Sequence, residues 1–448
     1  MNVEIINTGS ELMLGRVLNT HQQWLCRQLA DLGYVVARQV AVGDHGGDIQ
    51  TAVREALGRA HLVITTGGLG PTSDDITREL IAQMLDRKLV QDQEVLAHIE
   101  AFFAARGRPR PQKTEVETFV PEGALVFLNP TGTAPGLALR LDSEMETKED
   151  ARGKREEGKA AHLPSSILGP PSSVSKKWLV MLPGPPRELR PMFEQAVVPL
   201  LAREFTPEVF VCRTLRSTGI GESRVQEMIE TSLEPFLKPG LKVGYCARPG
   251  AVDVRLTATG GRAAQLVRDA EAVVRRILGA HIFGLDDEEM ENVVVRLLTE
   301  RKQSLALAES CTGGHLAHRV TNVPGASVIF SGGVVSYANE AKEKLLGVRA
   351  ETLRLHGAVS EAVAREMALG VREKLGSDFA LAVTGIAGPG GGTPEKPVGT
   401  VFIALAAADG VEVERRLNPW DRLTFKEVTA TQALEQLRRR LVASGLPA

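Results

Sequence analysis

Two spacings of hydrophobic residues alternate along the N-terminal third of the chain. Short apolar runs at 3–8, 34–42 and 61–66 are typical of buried strands, whereas 22–32 and 49–60 carry apolar residues at helical intervals. Strands separated by helices predict βαβ units and a mostly parallel sheet. The pattern therefore predicts an α/β domain, which we place at residues 1–200.

This alternation stops at residues 143–177, which are rich in charged residues, Ser, Pro and Gly. Such a composition cannot bury enough apolar surface to offset the entropy lost on ordering. We therefore predict a mobile insertion inside the first domain. Regular structure is expected to resume with the apolar run 178–182, which leads into a proline-rich turn at 183–186.

A smaller module is predicted at residues 208–282, because strand-like and helical patterns are shorter and more closely spaced there. The predicted elements are strands at 209–217, 241–249 and 252–260 and a helix at 263–278. These elements predict an α+β module. The turn at 219–223 resembles RNA-binding loops only faintly, since a GxxG clamp with basic neighbours is missing, and an ordinary structural role is favoured.

The C-terminal domain, placed at residues 288–448, again alternates strands with helices. An acidic stretch at 286–291 opens a helix that continues through Leu298, which puts carboxylates where a helix N-terminus favours them. The whole chain is thus predicted to be an α/β protein with a small α+β module in the middle.

The overall composition excludes several classes of protein. Hydrophobic residues make up 43% and charged residues 24% of the chain, which is typical of a globular protein. A net charge of -2 gives no basic excess for direct nucleic-acid binding. No apolar run reaches the length of about 18 residues that suggests a membrane span, and no secretory signal pattern opens the chain. The cysteines are isolated from one another, which predicts neither zinc nor a disulfide framework. We expect a cytoplasmic protein.

Ser310 lies at a strand-to-helix corner in the C-terminal domain. A strand at 304–308 runs into Glu309-Ser-Cys-Thr-Gly-Gly314, and a helix follows at 315–320. Open α/β sheets bind ligands at such corners, and backbone N–H groups at the helix start, around Thr312, Gly313 and Gly314, are suited to an oxyanion or a phosphate. On this segment alone, simple helix capping by Ser310 and Thr312 is the favoured interpretation.

Two further strand-to-helix corners of the same domain favour a catalytic role for Ser310 over simple helix capping. A strand ends at Ser336 and Tyr337, Asn339 is a plausible N-cap, and the following short helix carries Lys342. Such a lysine is normally a solvated surface charge, but beside Ser310 desolvation would lower its pKa until it serves as a base. The third corner is a strand that ends in a glycine-rich loop at 382–392. Because three corners of one sheet converge, we predict a Ser–Lys nucleophile and base.

The loop at 67–77 in the N-terminal domain is a second candidate site. It follows a buried strand and reads Gly67-Gly-Leu-Gly-Pro-Thr-Ser-Asp-Asp-Ile-Thr77. A glycine-rich loop after a strand can cradle phosphate with backbone N–H groups, and the two aspartates are suited to a hard divalent cation. The alternative is an ordinary turn with Asp74 as a helix cap. The glycine content favours function over that alternative.

The C-terminal motifs resemble those of bacterial nicotinamide mononucleotide deamidases. The resemblance rests on ESCTGG, VVSYANEAK, HGAVS, TGIAGPGGG and PVGTV, which span most of residues 300–405. It implies that Ser310 and Lys342 form the catalytic dyad, with Tyr337 near the site and no cofactor. It also implies substrate contacts from Thr384 and Gly385, and a phosphate contact from Arg422.

The N-terminal motifs resemble the molybdopterin-binding fold. GGxGxxxxD at Gly67, Gly68 and Gly70 implies a phosphate-binding loop, with Asp75 at the motif's aspartate and Asp44 at a second acidic position. Three further motifs are GSELMLG, NPTGTAPG and LPGPPRE, at residues 9–15, 129–136 and 182–188. The second of these implies further substrate-binding residues, which are Asn129, Gly132 and Thr133.

Taken together, the two motif sets are similar to the CinA family, which joins a metal-dependent ADP-ribose pyrophosphatase domain to a deamidase domain. The resemblance implies a molybdopterin-binding-like αβα domain, a small α+β module and a C-terminal αβα deamidase domain. It also implies Mg²⁺ or a similar ion held by Asp44 and Asp75. We expect a homodimer that acts on nicotinamide mononucleotide and ADP-ribose. The alternatives are an enzyme of molybdenum-cofactor assembly and a non-catalytic competence or DNA-damage scaffold.

Overall fold

The structure, a computed structural model, describes residues 1–141 and 176–443. The segment predicted as a mobile insertion, 143–177, lies outside the described residues except for its last two positions, and Lys177 already begins a strand. The chain divides into two compact units, Met1–Phe210 and Val211–Ala448. No helix in the described parts of the chain is long and apolar enough to cross a membrane.

The first unit contains a six-stranded sheet in the order β2-β1-β3-β8-β7-β6. The strands of this unit, including the separate β4–β5 pair, are β1 Val3–Thr8, β2 Val36–Val42, β3 Leu62–Thr66, β4 Leu89–Gln91, β5 Phe119–Pro121, β6 Leu125–Phe127, β7 Gly136–Leu141 and β8 Lys177–Leu182. Strands β2, β1, β3 and β8 are parallel, and β7 pairs antiparallel with β8 on one side and with β6 on the other. The predicted mostly parallel sheet is confirmed.

Helices cover both faces of this sheet, which explains why its central strands are apolar on both sides. The helices are α1 Ser10–Met13, α2 Thr20–Asp31, α3 Gly46–Arg59, α4 Thr77–Met84, α5 Gln93–Ala104, α6 Pro186–Met192 and α7 Val198–Glu204, with a π-helical turn between the last two. Ile6 and Val63 pack in the apolar cluster with α3, α4 and α5. Ile5 and Ile64 pack in the opposite cluster with α2 and α6. The unit is therefore an αβα sandwich.

The second unit begins with the small α+β module. Its four-stranded sheet has the order β10-β11-β9-β12. The strands are β9 Phe210–Thr218, β10 Lys242–Arg248, β11 Ala251–Thr259 and β12 Ile282–Leu285, and the helices are α8 Glu222–Leu237 and α9 Ala263–Leu278. Apolar residues of both helices form one core with the sheet. The sequence predicted α9 at its observed bounds but missed α8 and β12.

The rest of the second unit is another αβα sandwich, with strand order β14-β13-β15-β16-β17. The strands are β13 Leu305–Glu309, β14 Phe330–Val335, β15 Phe379–Gly385, β16 Thr400–Ala407 and β17 Gly410–Leu417. The helices are α10 Met290–Arg301, α11 His315–Thr321, α12 Asn339–Leu346, α13 Ala350–His356, α14 Glu361–Leu375 and α15 Arg422–Ala443. One face packs on α10, α11 and α15, and the other on α14.

Strand direction places both candidate sites at sheet edges. In the C-terminal sandwich β13 is parallel to β14 and to β15, and Glu309 pairs with Val335 and Val383, so the three predicted corners share one edge. In the first unit Thr66 pairs with Leu182, and β1 runs parallel to β3, so the loops after these strands also meet at one edge. Each sheet therefore gathers its loops at the edge where such folds bind ligands.

Candidate functional site

The structure brings Ser310 and Lys342 together in the C-terminal sandwich. Lys342 lies on α12 and is 1% exposed, and its Nζ donates a hydrogen bond to Ser310 Oγ at 3.1 Å. The other acceptors of Nζ are the carbonyl oxygens of Ser336, at 2.8 Å, and Tyr337, at 3.2 Å. The two residues belong to different corners, so the pair exists only because β13 and β14 are neighbours.

The surroundings of Lys342 favour a neutral amine. Burial lowers the pKa of this lysine, because an ammonium loses its hydration inside the domain. No carboxylate accepts a hydrogen bond from Nζ among the described residues. A neutral amine has two N–H groups and one lone pair. If the carbonyls of Ser336 and Tyr337 take the two N–H groups, the lone pair is left for the hydroxyl proton of Ser310.

Glu309 caps the helix that follows the nucleophile loop. Its buried carboxylate accepts hydrogen bonds from the N–H groups of Gly314, Leu316 and Ala317, at 3.0, 3.1 and 2.8 Å. Capping by Ser310 or Thr312, which the segment alone favoured, is therefore wrong. The N-terminus of α11 is also not open to an oxyanion or a phosphate, since a carboxylate already occupies it. Ser310 is left free to bond with Lys342.

The turn after Ser310 requires glycine. Gly313 and Gly314 have φ values of +60° and +92°, a left-handed conformation that other residues adopt only with strain. Within the described residues, the N–H groups of Cys311 and Thr312 donate to no oxygen, and the buried Cys311 thiol lies within their reach. These two amides follow the nucleophile directly, which is the usual place for an oxyanion hole.

Arg422 joins the second and third corners. Its guanidinium donates to the Tyr337 hydroxyl at 2.6 Å and to the Gly388 carbonyl at 3.0 Å. Arg422 and Tyr337 are both exposed, so they lie at the rim. Thr384, in contrast, is buried, and its hydroxyl donates to the carbonyl of Ala358 at 2.8 Å.

Gly385 is held by strand packing. A Cβ on this residue would come 2.8 Å from the carbonyl oxygen of Thr400.

Asn339 is the first residue of α12, and the residue before it, Ala338, occupies the N-cap position, so the predicted cap is wrong.

Lys426 is a residue of this site that sequence reasoning missed. A Cβ on Gly313 would lie 3.9 Å from Lys426 Nζ, so this ammonium lies beside the nucleophile loop. In residues 1–141 and 176–443 no carboxylate forms an ion pair with Lys426. Lys426 is one helical turn after Arg422 on α15, and this four-residue spacing on one helix face could have indicated it.

The first unit contains a cavity of about 480 Å³ at the carboxyl edge of its sheet. Predicted residues that line it are Asp44, Asp75, Gly67, Gly68, Gly70, Gly132 and Thr133. Asn129 is instead fully buried behind the wall, where its amide donates to Glu188 Oε2 at 2.9 Å and to the Ala134 carbonyl at 3.0 Å. The structure therefore gives Asn129 the position of a residue that shapes the wall.

Asp44 and Asp75 are each fixed through one carboxylate oxygen. Asp44 Oδ2 accepts from the Ser10 N–H at 2.7 Å. Asp75 Oδ2 accepts from the Thr72 N–H at 3.0 Å and from its hydroxyl. A Cβ on Gly70 would lie 2.6 Å from the same Oδ2, which explains a glycine here. Helix α4 begins only at Thr77, without a side-chain cap, so Asp74 is not its cap.

The donor set of this cavity fits a cation that phosphate helps to hold. The acidic lining residues are Glu11, Asp44, Asp74, Asp75, Glu117 and Glu188, against the single guanidinium of Arg187. In residues 1–141 and 176–443 no group of three or more His, Cys, Asp or Glu is arranged to hold a metal ion. Mg²⁺ commonly binds through one or two carboxylates together with substrate phosphates. Asp44 and Asp75 fit that mode, and not a cage made by the protein alone.

Glu117 is a second residue that sequence reasoning missed. It is fully buried in the wall of the cavity and accepts a hydrogen bond from the Thr133 hydroxyl at 3.0 Å. The pKa of this carboxyl is raised to about 7, and burial is the largest cause of the increase. Its position is set by packing of a 3₁₀ turn, Gln112–Thr118, and no local motif indicates it.

Comparison with known proteins identifies the family. Three family descriptions match, namely "Probable molybdopterin binding domain" at residues 4–203, "Damage-inducible protein CinA KH domain" at 212–284 and "CinA C-terminal domain" at 287–441. A solved structure of a competence/damage inducible protein from Agrobacterium tumefaciens is 42% identical, with a TM-score of 0.33, and covers 34% of this chain and 94% of that chain.

Relatives match along almost the whole chain. A protein from Caldicellulosiruptor bescii, whose name describes a competence-damage inducible protein, is 41% identical over 445 residues, 99% of this chain and 100% of that relative. A CinA-like protein from Akkermansia muciniphila is 41% identical over 438 residues, 98% of this chain and 97% of its own length. Because the identity spans all three parts of the fold, the chain belongs to the CinA family, with a molybdopterin-binding-like N-terminal domain, a KH-like middle module and a CinA C-terminal domain.

Proposed function

We propose that the C-terminal site hydrolyses the carboxamide of nicotinamide mononucleotide through an acyl-enzyme. The observation that carries this proposal is the hydrogen bond from a buried lysine to a serine hydroxyl that caps no helix. Neutral Lys342 takes the proton of Ser310 while Oγ forms a bond to the amide carbon. The N–H groups of Cys311 and Thr312 stabilise the resulting oxyanion.

The same lysine completes the reaction. Protonated Lys342 gives its proton to the departing nitrogen, the C–N bond breaks and ammonia leaves. Neutral again, Lys342 accepts a proton from water while the water oxygen bonds to the ester carbon. Lys342 then returns that proton to Ser310 Oγ as the C–O bond breaks and the carboxylic acid leaves. The exposed guanidinium of Arg422 and the ammonium of Lys426 supply positive charge at the rim, which supports binding of a mononucleotide phosphate.

The rate of deamidation is expected to rise with pH. Lys342 must be neutral to act as a base, and burial lowers its pKa, so the active form accumulates as pH increases through an apparent pKa below that of an ordinary lysine. Below that pKa, kcat should grow about tenfold per pH unit. Stopped assays of ammonia release from pH 6 to 10 measure this. A rate that is flat or falls across the range would contradict a lysine base.

We further propose that the N-terminal cavity cleaves the pyrophosphate of ADP-ribose with a divalent cation held by Asp44 and Asp75. The acidic lining supports this proposal, because an anionic diphosphate needs a cation to enter it. The cation, when bound, would polarise a phosphoryl oxygen. Gly67, Gly68 and Gly70 let the backbone approach the phosphates. Adenylyl transfer to a pterin is the rival chemistry for such a cavity.

Asp75→Asn is expected to lower ADP-ribose hydrolysis at least about 100-fold, the cost of losing one strong electrostatic contact in a reaction site. The amide can still accept from Thr72, so the loop keeps its shape. Deamidation should be unchanged, since that site belongs to the other unit. AMP release by chromatography and ammonia release measure the two activities.

Asp31→Asn, an exposed change at the end of α2, is the matched control. If Asp75→Asn loses both activities while Asp31→Asn keeps them, the two units do not act independently. Full hydrolysis would remove Asp75 from the site. A wild-type chain that binds a pterin and leaves ADP-ribose intact would favour the rival chemistry.

A further inference from the structure

Glu117 and Thr133 form a hydrogen-bonded pair in the wall of the N-terminal cavity. Both residues line the cavity, and Thr133 is half-buried whereas Glu117 is 0% exposed. The Thr133 hydroxyl donates to Glu117 Oε1 at 3.0 Å. Glu117 Oε2 is buried without a hydrogen-bond partner among the described residues. Thr133 is thus the more exposed polar group of the pair, and its hydroxyl is shared between Glu117 and the cavity.

The direction of this hydrogen bond depends on the protonation of Glu117. A carboxylate only accepts, so Thr133 must donate its single proton inward and present lone pairs to the cavity. A protonated carboxyl can donate to Thr133 Oγ, and the hydroxyl proton is then free to point into the cavity. The two states therefore offer a diphosphate opposite partners. When Glu117 is ionised, the lone pairs of the Thr133 hydroxyl repel the diphosphate oxygens. When Glu117 is protonated, the Thr133 hydroxyl donates a hydrogen bond to one of those oxygens.

The charged groups around Glu117 place this change near neutral pH. Burial acts most strongly and raises its pKa to about 7, and the carboxylates of Asp75 on the glycine-rich loop and Glu188 on α6 act in the same direction. The hydrogen bond from Thr133 and, after it, the guanidinium of Arg78 on α4 act in the opposite direction and lower the pKa of Glu117. Arg78 is itself paired with Glu79. No hydrogen bond joins Glu117 to Asp44 or Asp75 within the described residues.

We propose that Glu117 is a positioning residue that binds a proton together with the diphosphate ligand and thereby turns the Thr133 hydroxyl toward a phosphate oxygen. The inference rests on the proposed ADP-ribose function and concerns how that same cavity recognises its anion. Proton uptake removes a negative charge from the wall of the cavity and frees the Thr133 hydroxyl as a hydrogen-bond donor to the ligand. A neutral hydroxyl forms a stronger hydrogen bond with a charged phosphate oxygen than with a neutral acceptor.

The test is the pH dependence of binding, measured by titration calorimetry with the α,β-methylene analogue of ADP-ribose and saturating Mg²⁺. This analogue cannot be hydrolysed at its bridge. For the wild-type chain, Kd should be constant well below pH 7 and weaken about tenfold per pH unit above the pKa near 7. Glu117→Gln should bind equally tightly at pH 6 and 8.5, because the amide N–H donates to Thr133 at every pH.

Glu117→Gln is thus expected to bind about tenfold more tightly than the wild type at pH 8, a gain that damage to the fold would not produce. Thr133→Val should weaken binding about tenfold or more at pH 6 and make Glu117→Gln silent in the double variant. The same pH response in the wild type and Glu117→Gln would overturn the inference. Absence of binding by the wild type at every pH would instead overturn the proposed function.

Discussion

Ser310→Ala is expected to lower kcat for nicotinamide mononucleotide deamidation about ten-thousand-fold or more, the scale seen when an enzyme loses its nucleophile. The change removes the oxygen that receives the Lys342 hydrogen bond. It leaves the helix start intact, because Glu309 and not Ser310 caps α11. A loss of activity with unchanged thermal unfolding would therefore report on chemistry and not on folding.

Ser327→Ala, an exposed hydroxyl of the same domain, is the control and should keep full activity. The double variant Ser310→Ala/Lys342→Ala should be scarcely worse than Ser310→Ala alone, since a base without its nucleophile has nothing to deprotonate. Multiplicative losses in the double variant would show that the two side chains act independently and would contradict a dyad.

Lys342→Arg is expected to cost about a thousandfold in kcat, within the range for loss of a general base. A guanidinium keeps its proton at working pH and cannot accept one from Ser310. Lys344→Arg on the same helix is exposed and should be silent. Lys342→Met, which has similar length and no charge, serves as a second variant in case the larger guanidinium disturbs the buried site. Substantial deamidation by a folded Lys342→Arg chain would exclude lysine as the base.

The parts of the fold that follow from local spacing were predicted well. Strand β1 and helix α9 have the predicted bounds, because β1 is a short apolar run and α9 repeats apolar residues at helical intervals. Helix α8 was missed, since it contains Pro235 and follows a glycine turn that reads as a loop. Strand β12 was missed because its four residues are too short to show a period.

The candidate deamidase site was predicted from a topological rule and from the resemblance of its motifs. Carboxyl ends of neighbouring parallel strands meet, so Ser310 and Lys342 were expected to approach each other, and the structure places Nζ 3.1 Å from Oγ. The cap by Glu309 was not predicted, because its carboxylate reaches residues five to eight positions ahead only once the turn has formed. Glu117 was also not predicted, since its role depends on burial against distant elements.

The most direct test of the account is ammonia release from nicotinamide mononucleotide by the purified full-length chain, compared with Ser310→Ala under the same conditions. The wild type should release one ammonia for each carboxylic acid mononucleotide formed, without an added metal ion or nucleotide, and Ser310→Ala should release almost none. Equal ammonia release by the two proteins, or none by a folded wild-type chain, would contradict the proposed Ser–Lys deamidase.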